Sequence, residues 1–280
     1  MSKIEKAMER AAQIRQEGKA APAASQQLQQ PRRIPFHTPP PPAAVTETMV
    51  LNNPFLININ DPYSPISEEF RKLKTELIKL TKGDTLKNTV QITSAVPHEG
   101  KSLTALNLAI SLAQEYDHTV LLIDADFRRP SIHRYLGIEQ QKGFSDCLLG
   151  EAEIGEVLIP TGIGRLSIIT SGREVLNPAE LFASQKTEAM IADMKNRYQD
   201  RFIIFDSPPV LPFAEARTLA HLVDGVLFVV KEQLASQKNV KEAISALKGC
   251  GLLGMVYNDV VIDRKDEKYT SYHNYGQPGR

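Results

Sequence analysis

The residues with the clearest chemical meaning form a short loop that follows an apolar run and precedes a helical pattern. The loop reads Ser-Ala-Val-Pro-His-Glu-Gly-Lys-Ser-Leu over positions 94–103. In this strand–loop–helix context, backbone N–H groups and the positive end of the helix dipole hold phosphate groups. Gly100 lets the phosphates approach closely, Lys101 supplies a cation to a phosphoryl group in transfer, and the Ser102 hydroxyl reaches Mg²⁺. This phosphate loop departs from the usual pattern at Ala95, which replaces the first glycine and is expected to cost some backbone freedom.

The predicted nucleotide site extends beyond the lysine and the serine. Tyr257-Asn258-Asp259 follows the last apolar run, and Asn258 is the residue expected near the adenine. The Asn-Lys-x-Asp pattern that reads guanine is missing, so a GTPase is not expected. The predicted nucleotide-binding residues are Ala95, Pro97, Glu99, Gly100, Lys101, Ser102, Leu103 and Asn258.

Three carboxylates leave the ends of two other apolar runs. Asp124 and Asp126 follow Val120–Ile123, and Asp206 follows Phe202–Phe205. A single acidic residue at a strand end more often caps or turns the chain. Three that converge on a phosphate loop instead indicate metal binding and proton transfer, since Mg²⁺ prefers oxygen ligands and keeps several waters. The predicted catalytic residues are Lys101, Asp124, Asp126 and Asp206, and the predicted metal ligands are Ser102, Asp124 and Asp206.

The elements that must position these residues alternate between strands and helices. Short apolar runs rich in β-branched residues lie at 89–93, 120–123, 166–170, 202–205, 226–230 and 253–256. Helical patterns lie at 67–77, 101–115, 178–197 and 236–248, and Ser67 is the expected N-cap of the first. Near-continuous apolar strands that alternate with helices predict an α/β fold with a mostly parallel sheet flanked by helices. Ligands of such sheets bind beyond the carboxyl ends of the strands, where the three carboxylates lie.

Composition divides the chain into three segments. Positions 1–48 combine an amphipathic helical pattern over 3–17 with a linker rich in Ala, Gln and Pro, which is unable to build a core. The first helix is open to two interpretations, a frayed tail or a docking segment. Positions 49–262 form the predicted folded domain, with regular structure from near Asn60, and positions 263–280 form a tail expected to be flexible.

Composition also excludes several classes of protein. Lys plus Arg equals Asp plus Glu at 33 each, so no overall field favours nucleic acid or an anionic membrane. Cys147 and Cys250 have neither Cys-x-x-Cys nor Cys/His spacing, which argues against a disulfide framework or a zinc site. The longest apolar runs fall well short of the roughly 20 residues that span a bilayer. We therefore expect a cytoplasmic protein without a signal peptide or a membrane-spanning segment.

These motifs resemble those of the bacterial tyrosine kinases, specifically the stand-alone autokinases of exopolysaccharide export. The phosphate loop is similar to that family's Walker A motif. Leu-Ile-Asp-Ala-Asp-Phe-Arg at 122–128 is similar to its A′ motif, and Ile-Phe-Asp-Ser-Pro-Pro at 204–209 to its B motif. The resemblance implies a P-loop NTPase fold of the MinD/ParA-like (SIMIBI) type that uses ATP and Mg²⁺. It also implies that Asp124 accepts a proton, that Asp126 assists through the metal shell and that Asp206 orients Mg²⁺.

The tail carries a cluster of tyrosines that a structural role does not explain. Tyr269, Tyr272 and Tyr275 are three of the eight tyrosines of the chain and lie within a short polar segment. A tyrosine hydroxyl has a pKa near 10 and is a poor nucleophile at neutral pH unless a base lies beside it. If the tail of a neighbouring copy enters the nucleotide site, each of these phenols becomes a phosphoryl acceptor. The added negative charge would then loosen the assembly, which predicts a cycle of association, phosphorylation in trans and dissociation.

The resemblance extends to assembly and partners. The family's Glu-x-x-Arg-x-x-Arg segment forms contacts between neighbouring subunits of a ring, and Glu68 and Arg71 match it, whereas Lys74 stands where the second Arg is usual. Lys keeps the charge but loses bidentate bonding, so a weaker ring is expected. An ordinary surface helix remains the alternative. The resemblance also implies a membrane polysaccharide co-polymerase as activator, a tyrosine phosphatase, and a location at the inner face of the membrane through that partner.

Two other functions compete with a kinase. A MinD/ParA-like ATPase switch shares the fold, but its signature lysine is replaced by Val96, Pro97 follows, and it gives no reason for a tyrosine tail. A module that only binds nucleotide and partners is the third possibility. The neighbouring Arg128 and Arg129 would steer phosphate or bind an incoming tail, or would pair with nearby carboxylates.

Overall fold

The six apolar runs fold into strands of one sheet, as predicted. The computed structural model describes residues 53–83, 87–115, 117–197 and 201–260, so the first 48 residues and the tail tyrosines lie outside the described residues. The strands are Thr89–Ser94 (β1), Thr119–Asp124 (β2), Ile159–Pro160 (β3), Leu166–Ile169 (β4), Arg201–Asp206 (β5), Gly225–Lys231 (β6) and Leu252–Asn258 (β7). They are ordered β3-β4-β2-β5-β1-β6-β7, and every neighbouring pair is parallel except β3 and β4.

The antiparallel edge strand β3 was not predicted. It consists of Ile159 and Pro160, which pair with Ile168 and Ser167 of β4. Two residues are too few to show a periodic pattern. Proline has no N–H to donate, so it is confined to positions such as this edge.

Helices cover the sheet between the strands. Those of the described residues are Ile57–Asn60 (α1), Pro65–Thr81 (α2), Lys101–Ala113 (α3), Ile132–Leu136 (α4), Phe144–Leu149 (α5), Pro178–Phe182 (α6), Gln185–Arg197 (α7), Ala214–Leu222 (α8) and Gln237–Ala246 (α9). None of these helices has both the length and the apolar character that crossing a membrane requires.

Two helix predictions are wrong in detail. The first long helix begins at Pro65, and its N-cap is Ser64 rather than Ser67, because the Ser64 hydroxyl accepts the Ser67 N–H at 3.2 Å. Ser67 is buried and donates its own hydroxyl to the Asp61 carbonyl at 2.7 Å. The pattern over 178–197 is divided into α6 and α7, since the Ser184 hydroxyl accepts the Thr187 N–H at 3.2 Å and so starts a second helix.

Each face of the sheet has its own apolar core, because alternate side chains of a strand point to opposite faces. Leu121 and Ile123 of β2 pack in one cluster with α5 to α9, and Val120 and Leu122 pack in the other with α2, α3 and α4. α3 is buried along nearly its whole length. The phosphate loop leads directly into this helix, so the packing of the helix fixes the end of the loop.

A buried polar contact joins the start of the described domain to α3. The Asn107 side chain donates to the Phe55 carbonyl at 2.9 Å, and the Asn58 side chain donates to the Asn107 carbonyl at 2.7 Å. Leu56 between them is fully buried. Among the described residues, the first helix begins at Ile57, close to the predicted Asn60.

Candidate active site

The register of two strands brings the predicted carboxylates together. Asp124 at the end of β2 is the lateral partner of Asp206 at the end of β5, and the Ala125 N–H donates to the Asp206 carbonyl at 2.8 Å. β1 lies on the other side of β5 and leads into the phosphate loop. Because the carboxyl ends of parallel strands meet at one edge of the sheet, the loop and the carboxylates share that edge.

Lys101 is the centre of this cluster. Its Nζ lies 2.7 Å from Asp126 Oδ2 and 3.9 Å from Asp206 Oδ1, and 3.4 Å from the Ser102 hydroxyl. Burial by itself lowers the pKa of Lys101, but the negative charges of Asp206 and Asp126 outweigh it and raise the pKa. The ammonium therefore stays charged and able to hold an anion.

Asp206 is fully buried and poorly supplied with hydrogen-bond donors. Within the described residues, no well-aligned hydrogen bond reaches either carboxylate oxygen, although the Ser102 hydroxyl lies close enough to lower the pKa of Asp206. Burial raises the pKa of Asp206, and the Lys101 ammonium lowers it in part. A buried carboxylate normally has partners, so two free oxygens beside a phosphate loop are typical of a cation-binding position.

Asp124 has a different environment from Asp206. Its Oδ2 accepts the N–H groups of Ser131 and Ile132 at 2.9 and 3.0 Å, and its Oδ1 accepts the Asp126 N–H at 3.3 Å. The carboxylate thus holds the start of α4. Burial raises the pKa of Asp124, as does the charge of Asp206, whereas the two amides of α4 lower it.

Asp126 is the carboxylate that lines the open cleft. The cleft has a volume of about 320 Å³ and is bordered by the phosphate loop and the segment after β2. Asp126 bonds Lys101 through Oδ2, and its Oδ1 accepts the Arg129 N–H at 3.0 Å. Of the loop residues predicted to bind nucleotide, the cleft is lined by Pro97, Gly100, Lys101, Ser102 and Leu103.

The phosphate loop places its backbone strain at two positions other than Ala95. Gly100 has φ +87° and His98 has φ +70°, both in the left-handed region, whereas Ala95 is absent from the described residues with positive φ. The expected cost of replacing the first glycine is therefore wrong, because alanine adopts negative φ without strain. Ala95 and Glu99 are both fully buried, and neither lines the cleft.

Glu99 braces the loop from the inside. Its Oε2 accepts the Val96 N–H at 2.8 Å, and its Oε1 accepts the Lys231 N–H at the end of β6 at 3.4 Å. The Asn258 side chain donates to the Glu99 carbonyl at 2.9 Å, and a Cβ at Gly100 would lie 2.0 Å from Asn258 Nδ2. Asn258 thus contacts the loop, and its role toward the adenine stays a prediction. The glutamate side chain was predicted only as part of the loop, and no motif indicated that it turns inward.

Cationic side chains border the cleft, and Arg128, the last residue of the A′ motif, differs from its neighbour Arg129. Arg128 pairs with the buried Glu215 at 2.9 Å and lies over the Phe213 ring at 5.3 Å. Arg129 lies 3.2 Å from the His98 ring through Nη1. Phe213 and Glu215 are contributed by the segment around the start of α8, which no sequence motif marked.

The residues predicted for subunit contact are paired within the chain. Glu68 and Arg71 form an ion pair of 2.7 Å on α2, and Lys74 pairs with Glu115 at 2.9 Å. The Glu68–Arg71 pair is exposed, so it contributes little stability and can exchange with other partners, whereas the Lys74 side chain is mostly buried. Their role in assembly stays a prediction.

Comparison with known proteins identifies the family. The profile of the AAA domain family matches residues 97–250, more than half of the chain. The tyrosine-protein kinase YwqD of Bacillus subtilis (strain 168) is 34% identical over 223 residues, which cover 79% of this chain and 91% of the relative. The chain belongs to the bacterial tyrosine kinases. This membership confirms the family resemblance and the kinase prediction.

Solved structures of the family share the fold. The chimerical protein CapA2B2 has a TM-score of 0.69 and 31% identity, covering 75% of this chain and 91% of that chain. The kinase domain of Escherichia coli tyrosine kinase ETK has a TM-score of 0.67 and 28% identity, covering 74% and 82%. Both likenesses confirm the predicted α/β fold with a mostly parallel sheet flanked by helices.

The competing ATPase switch is supported at the level of the fold alone. MinD of Pyrococcus horikoshii OT3 has a TM-score of 0.53 at 20% identity over 66% of this chain and 76% of that chain. That likeness confirms the predicted P-loop NTPase fold of the MinD/ParA-like type and says nothing about activity. The named tyrosine kinases are more similar in sequence, so the kinase prediction is favoured over the switch.

Proposed function

We propose that this tyrosine kinase uses ATP and Mg²⁺ to phosphorylate Tyr269, Tyr272 and Tyr275 in the tail of another copy of the chain. The observation that carries the proposal is the buried cluster at one sheet edge, where Lys101 contacts Asp126 and lies close to Asp206. A phosphoryl group in transfer requires fixed positive charge and a metal site beside an open cleft. The tail tyrosines are the acceptors that the same chain supplies.

The residues present fit a magnesium ion bound together with a nucleotide. Neither oxygen of Asp206 accepts a well-aligned hydrogen bond, and the Ser102 hydroxyl lies 3.4 Å from Lys101 Nζ and close enough to Asp206 to lower its pKa. Within the part of the chain that the structure describes, no group of three or more His, Cys, Asp or Glu forms a metal cage. Mg²⁺ needs no such cage, since it commonly binds through one or two carboxylates, waters and the substrate phosphates. We assign Ser102 and Asp206 as the protein ligands of Mg²⁺, and Asp124, the lateral partner of Asp206, as the carboxylate next to them. Bound Mg²⁺ would neutralise phosphate charge.

Proton removal from the tyrosine is the step that most needs a protein group. We assign it to Asp124, because its raised pKa makes it a stronger base than an exposed carboxylate. Both Asp124 oxygens already accept amide hydrogen bonds, whereas Asp126 lines the cleft. Asp126 is therefore the competing assignment, and its replacement by Asn distinguishes the two. If Asp126 accepts the proton, Asp126→Asn lowers kcat by at least about 100-fold with little change in the KM for ATP.

We also propose the assembly, the partners and the cellular location that the family resemblance implied. The kinase assembles as a ring through Glu68, Arg71 and Lys74 and phosphorylates neighbouring tails, and the accumulated charge then loosens the ring. A membrane polysaccharide co-polymerase recruits and activates it at the inner face of the cell membrane, and a tyrosine phosphatase resets it. The cellular role is control of exopolysaccharide polymerisation and export, by a cytoplasmic protein that does not bind nucleic acid.

Phosphosite mapping tests the activity directly. The purified chain is incubated with Mg²⁺ and ATP, and its peptides are analysed by mass spectrometry. We expect phosphate on Tyr269, Tyr272 or Tyr275, and a loss of at least about 100-fold in rate for Lys101→Met, because a fixed charge at the transferring phosphate is removed. Lys241→Met, an exposed position on α9, is the matched control. A chain that carries phosphate on none of the three tyrosines contradicts the autokinase proposal.

A further inference from the structure

A cationic surface lies beside the nucleotide cleft, and the proposed function assigns it no role. It is formed by His98, Arg129, His133 and Arg134, which we name the arginine–histidine shelf. These residues, with Pro130 and Gln140, line a cavity of about 500 Å³. His98, Arg129 and Arg134 also line the cleft of the phosphate loop, so the two spaces adjoin.

The shelf is positive because its arginines lack acidic partners. Within the described residues, no carboxylate lies within ion-pair distance of Arg129 or Arg134, in contrast to Arg128 and its partner Glu215. Arg129 instead contacts the His98 ring at 3.2 Å. Burial lowers the pKa of His133, and the charge of Arg134 lowers it further. The lowered pKa keeps His133 neutral near pH 7, so the positive charge of the shelf comes from its two arginines.

The candidate catalytic carboxylates hold the shelf in place. Asp126 Oδ1 accepts the Arg129 N–H at 3.0 Å, and its other oxygen bonds Lys101. Asp124 accepts the N–H groups that begin α4, the helix of His133 and Arg134. A ligand on the shelf therefore lies at a fixed offset from the phosphate loop.

We propose that the shelf binds a phosphotyrosine in the tail of a second copy of the chain. This inference rests on the proposed function, which makes the tail the substrate. Arginine binds phosphate through paired N–H groups, and a phosphotyrosine carries close to two negative charges. The unmodified tail offers no such charge: positions 263–268 contain three acidic and three basic residues, and positions 269–275 contain no acidic residue.

The spacing of the tail tyrosines suits this arrangement. Tyr269, Tyr272 and Tyr275 are three positions apart, and three residues of extended chain span about 10 Å. With the phosphate of one tyrosine on the shelf, a neighbouring tyrosine reaches the adjoining cleft. The first phosphorylation thus favours the second, and the shelf offers a place for one phosphate while further phosphates repel one another.

The second transfer follows the same chemistry as the first. The bond between the γ-phosphorus and the oxygen that bridges to the β-phosphate breaks, and a bond forms from that phosphorus to the phenolic oxygen. The phenolic proton passes to the active-site carboxylate, and ADP leaves. The phosphate already on the shelf takes no part in the reaction and only positions its neighbour.

Synthetic peptides test the shelf. Two peptides of positions 263–280 are compared, one with phosphotyrosine at 272 and one with phenylalanine at 272, so that both present only Tyr269 and Tyr275 as acceptors. The enzyme is the full chain with its own three tail tyrosines replaced by phenylalanine. The readout is the ratio of kcat/KM between the two peptides. We expect the phosphorylated peptide to be favoured about tenfold, as one charge-assisted contact allows.

The double variant Arg129→Gln/Arg134→Gln should reduce this ratio to about one, whatever its effect on the rate with the unphosphorylated peptide. Arg129→Lys/Arg134→Lys should restore part of it, since Lys keeps the charge without bidentate bonding. Arg197→Gln removes an exposed charge at the end of α7 and should leave the ratio unchanged.

Each result decides between the alternatives. A ratio near one for the parent enzyme overturns the proposal, as does an advantage that survives in the double variant. If the double variant raises the KM for ATP and keeps the ratio, the shelf belongs to the nucleotide site. If neither peptide is phosphorylated, the proposed acceptor fails, and fluorescence anisotropy of labelled peptides then tests the shelf alone. Binding of the phosphorylated peptide that depends on both arginines supports the shelf, and equal binding of both peptides refutes it.

Discussion

Replacing Glu99 by Gln tests how the phosphate loop is held in its binding conformation. The carboxylate accepts one N–H from within the loop, at Val96, and one from the end of β6, at Lys231. Gln has a single acceptor oxygen. We expect it to keep the shorter contact at Val96 and to turn its NH₂ toward the Lys231 N–H, where two donors would face each other.

The size of the effect follows from these contacts. A buried donor left without an acceptor costs about 1–3 kcal/mol, and a hydrogen bond to a charged group contributes about 1.5–3 kcal/mol. The Lys231 contact is long at 3.4 Å, which favours the lower half of that range. Gln also avoids the cost of burying a charge, which offsets part of the loss. We therefore expect the free energy of unfolding to fall by about 1–2 kcal/mol.

Urea denaturation without nucleotide, at neutral pH, measures this loss, and a fluorescent ATP analogue measures binding by the loop. The affinity should fall about tenfold, because a loosened loop must be ordered again when nucleotide binds. Glu242→Gln, the same change at an exposed position of α9, should stay within about 0.5 kcal/mol of the parent. If Glu99→Gln is no worse than this control and keeps its nucleotide affinity, the inward glutamate does not brace the loop.

The remaining predictions concern other contacts around the site. Asn258→Ala removes the bond to the Glu99 carbonyl and should lower the free energy of unfolding by about 1 kcal/mol in urea denaturation, and an unchanged value would contradict a bracing role. Arg128→Gln leaves Glu215 buried without its cation and should cost about 2 kcal/mol, less than the 3–5 kcal/mol of a fully buried pair because Arg128 is partly exposed. Asn107→Leu should speed hydrogen exchange over 53–60 more than elsewhere, and uniform exchange would argue against a local tie. Burial raises the pKa of Glu99, so the folded state holds this proton more tightly than the unfolded state does. The free energy of unfolding should therefore fall as pH rises from the ordinary pKa of a glutamate to the raised pKa of Glu99. Glu99→Gln should flatten that part of the stability profile, and an unaltered slope would contradict the shift.

The inner strands β1, β2 and β5 were predictable because each is a run rich in apolar and β-branched residues that is buried on both faces of a parallel sheet, whereas the edge strand β7 is half-buried to exposed. Every residue of β1 is buried, and β2 and β5 are buried beyond their first residue. The two-residue β3 and the five-residue α4 are too short to produce a period. Their positions depend on tertiary contacts, such as the bonds from Asp124 to the start of α4.

The residues of the candidate active site were predictable for a related reason. Asp124 and Asp206 are the last residues of their strands, and Lys101 begins the helix after the loop that follows β1, so the topology alone brings them to one edge. No pattern in the sequence shows which way a side chain points. The inward turn of Glu99 and the difference between Arg128, which is paired, and Arg129, which is not, depend on which residues of distant segments lie opposite them.

Phosphorylation between two distinguishable copies tests the central claim most directly. The acceptor chain carries Lys101→Met and an intact tail, and the donor chain has an intact site with Tyr269, Tyr272 and Tyr275 replaced by phenylalanine. Circular dichroism of each chain confirms that it is folded. With Mg²⁺ and ATP, we predict phosphate on the tail of the acceptor chain in the mixture and on neither chain alone. An acceptor chain that stays unmodified in the mixture, while the parent chain phosphorylates itself at a rate independent of its concentration, would contradict transfer between copies.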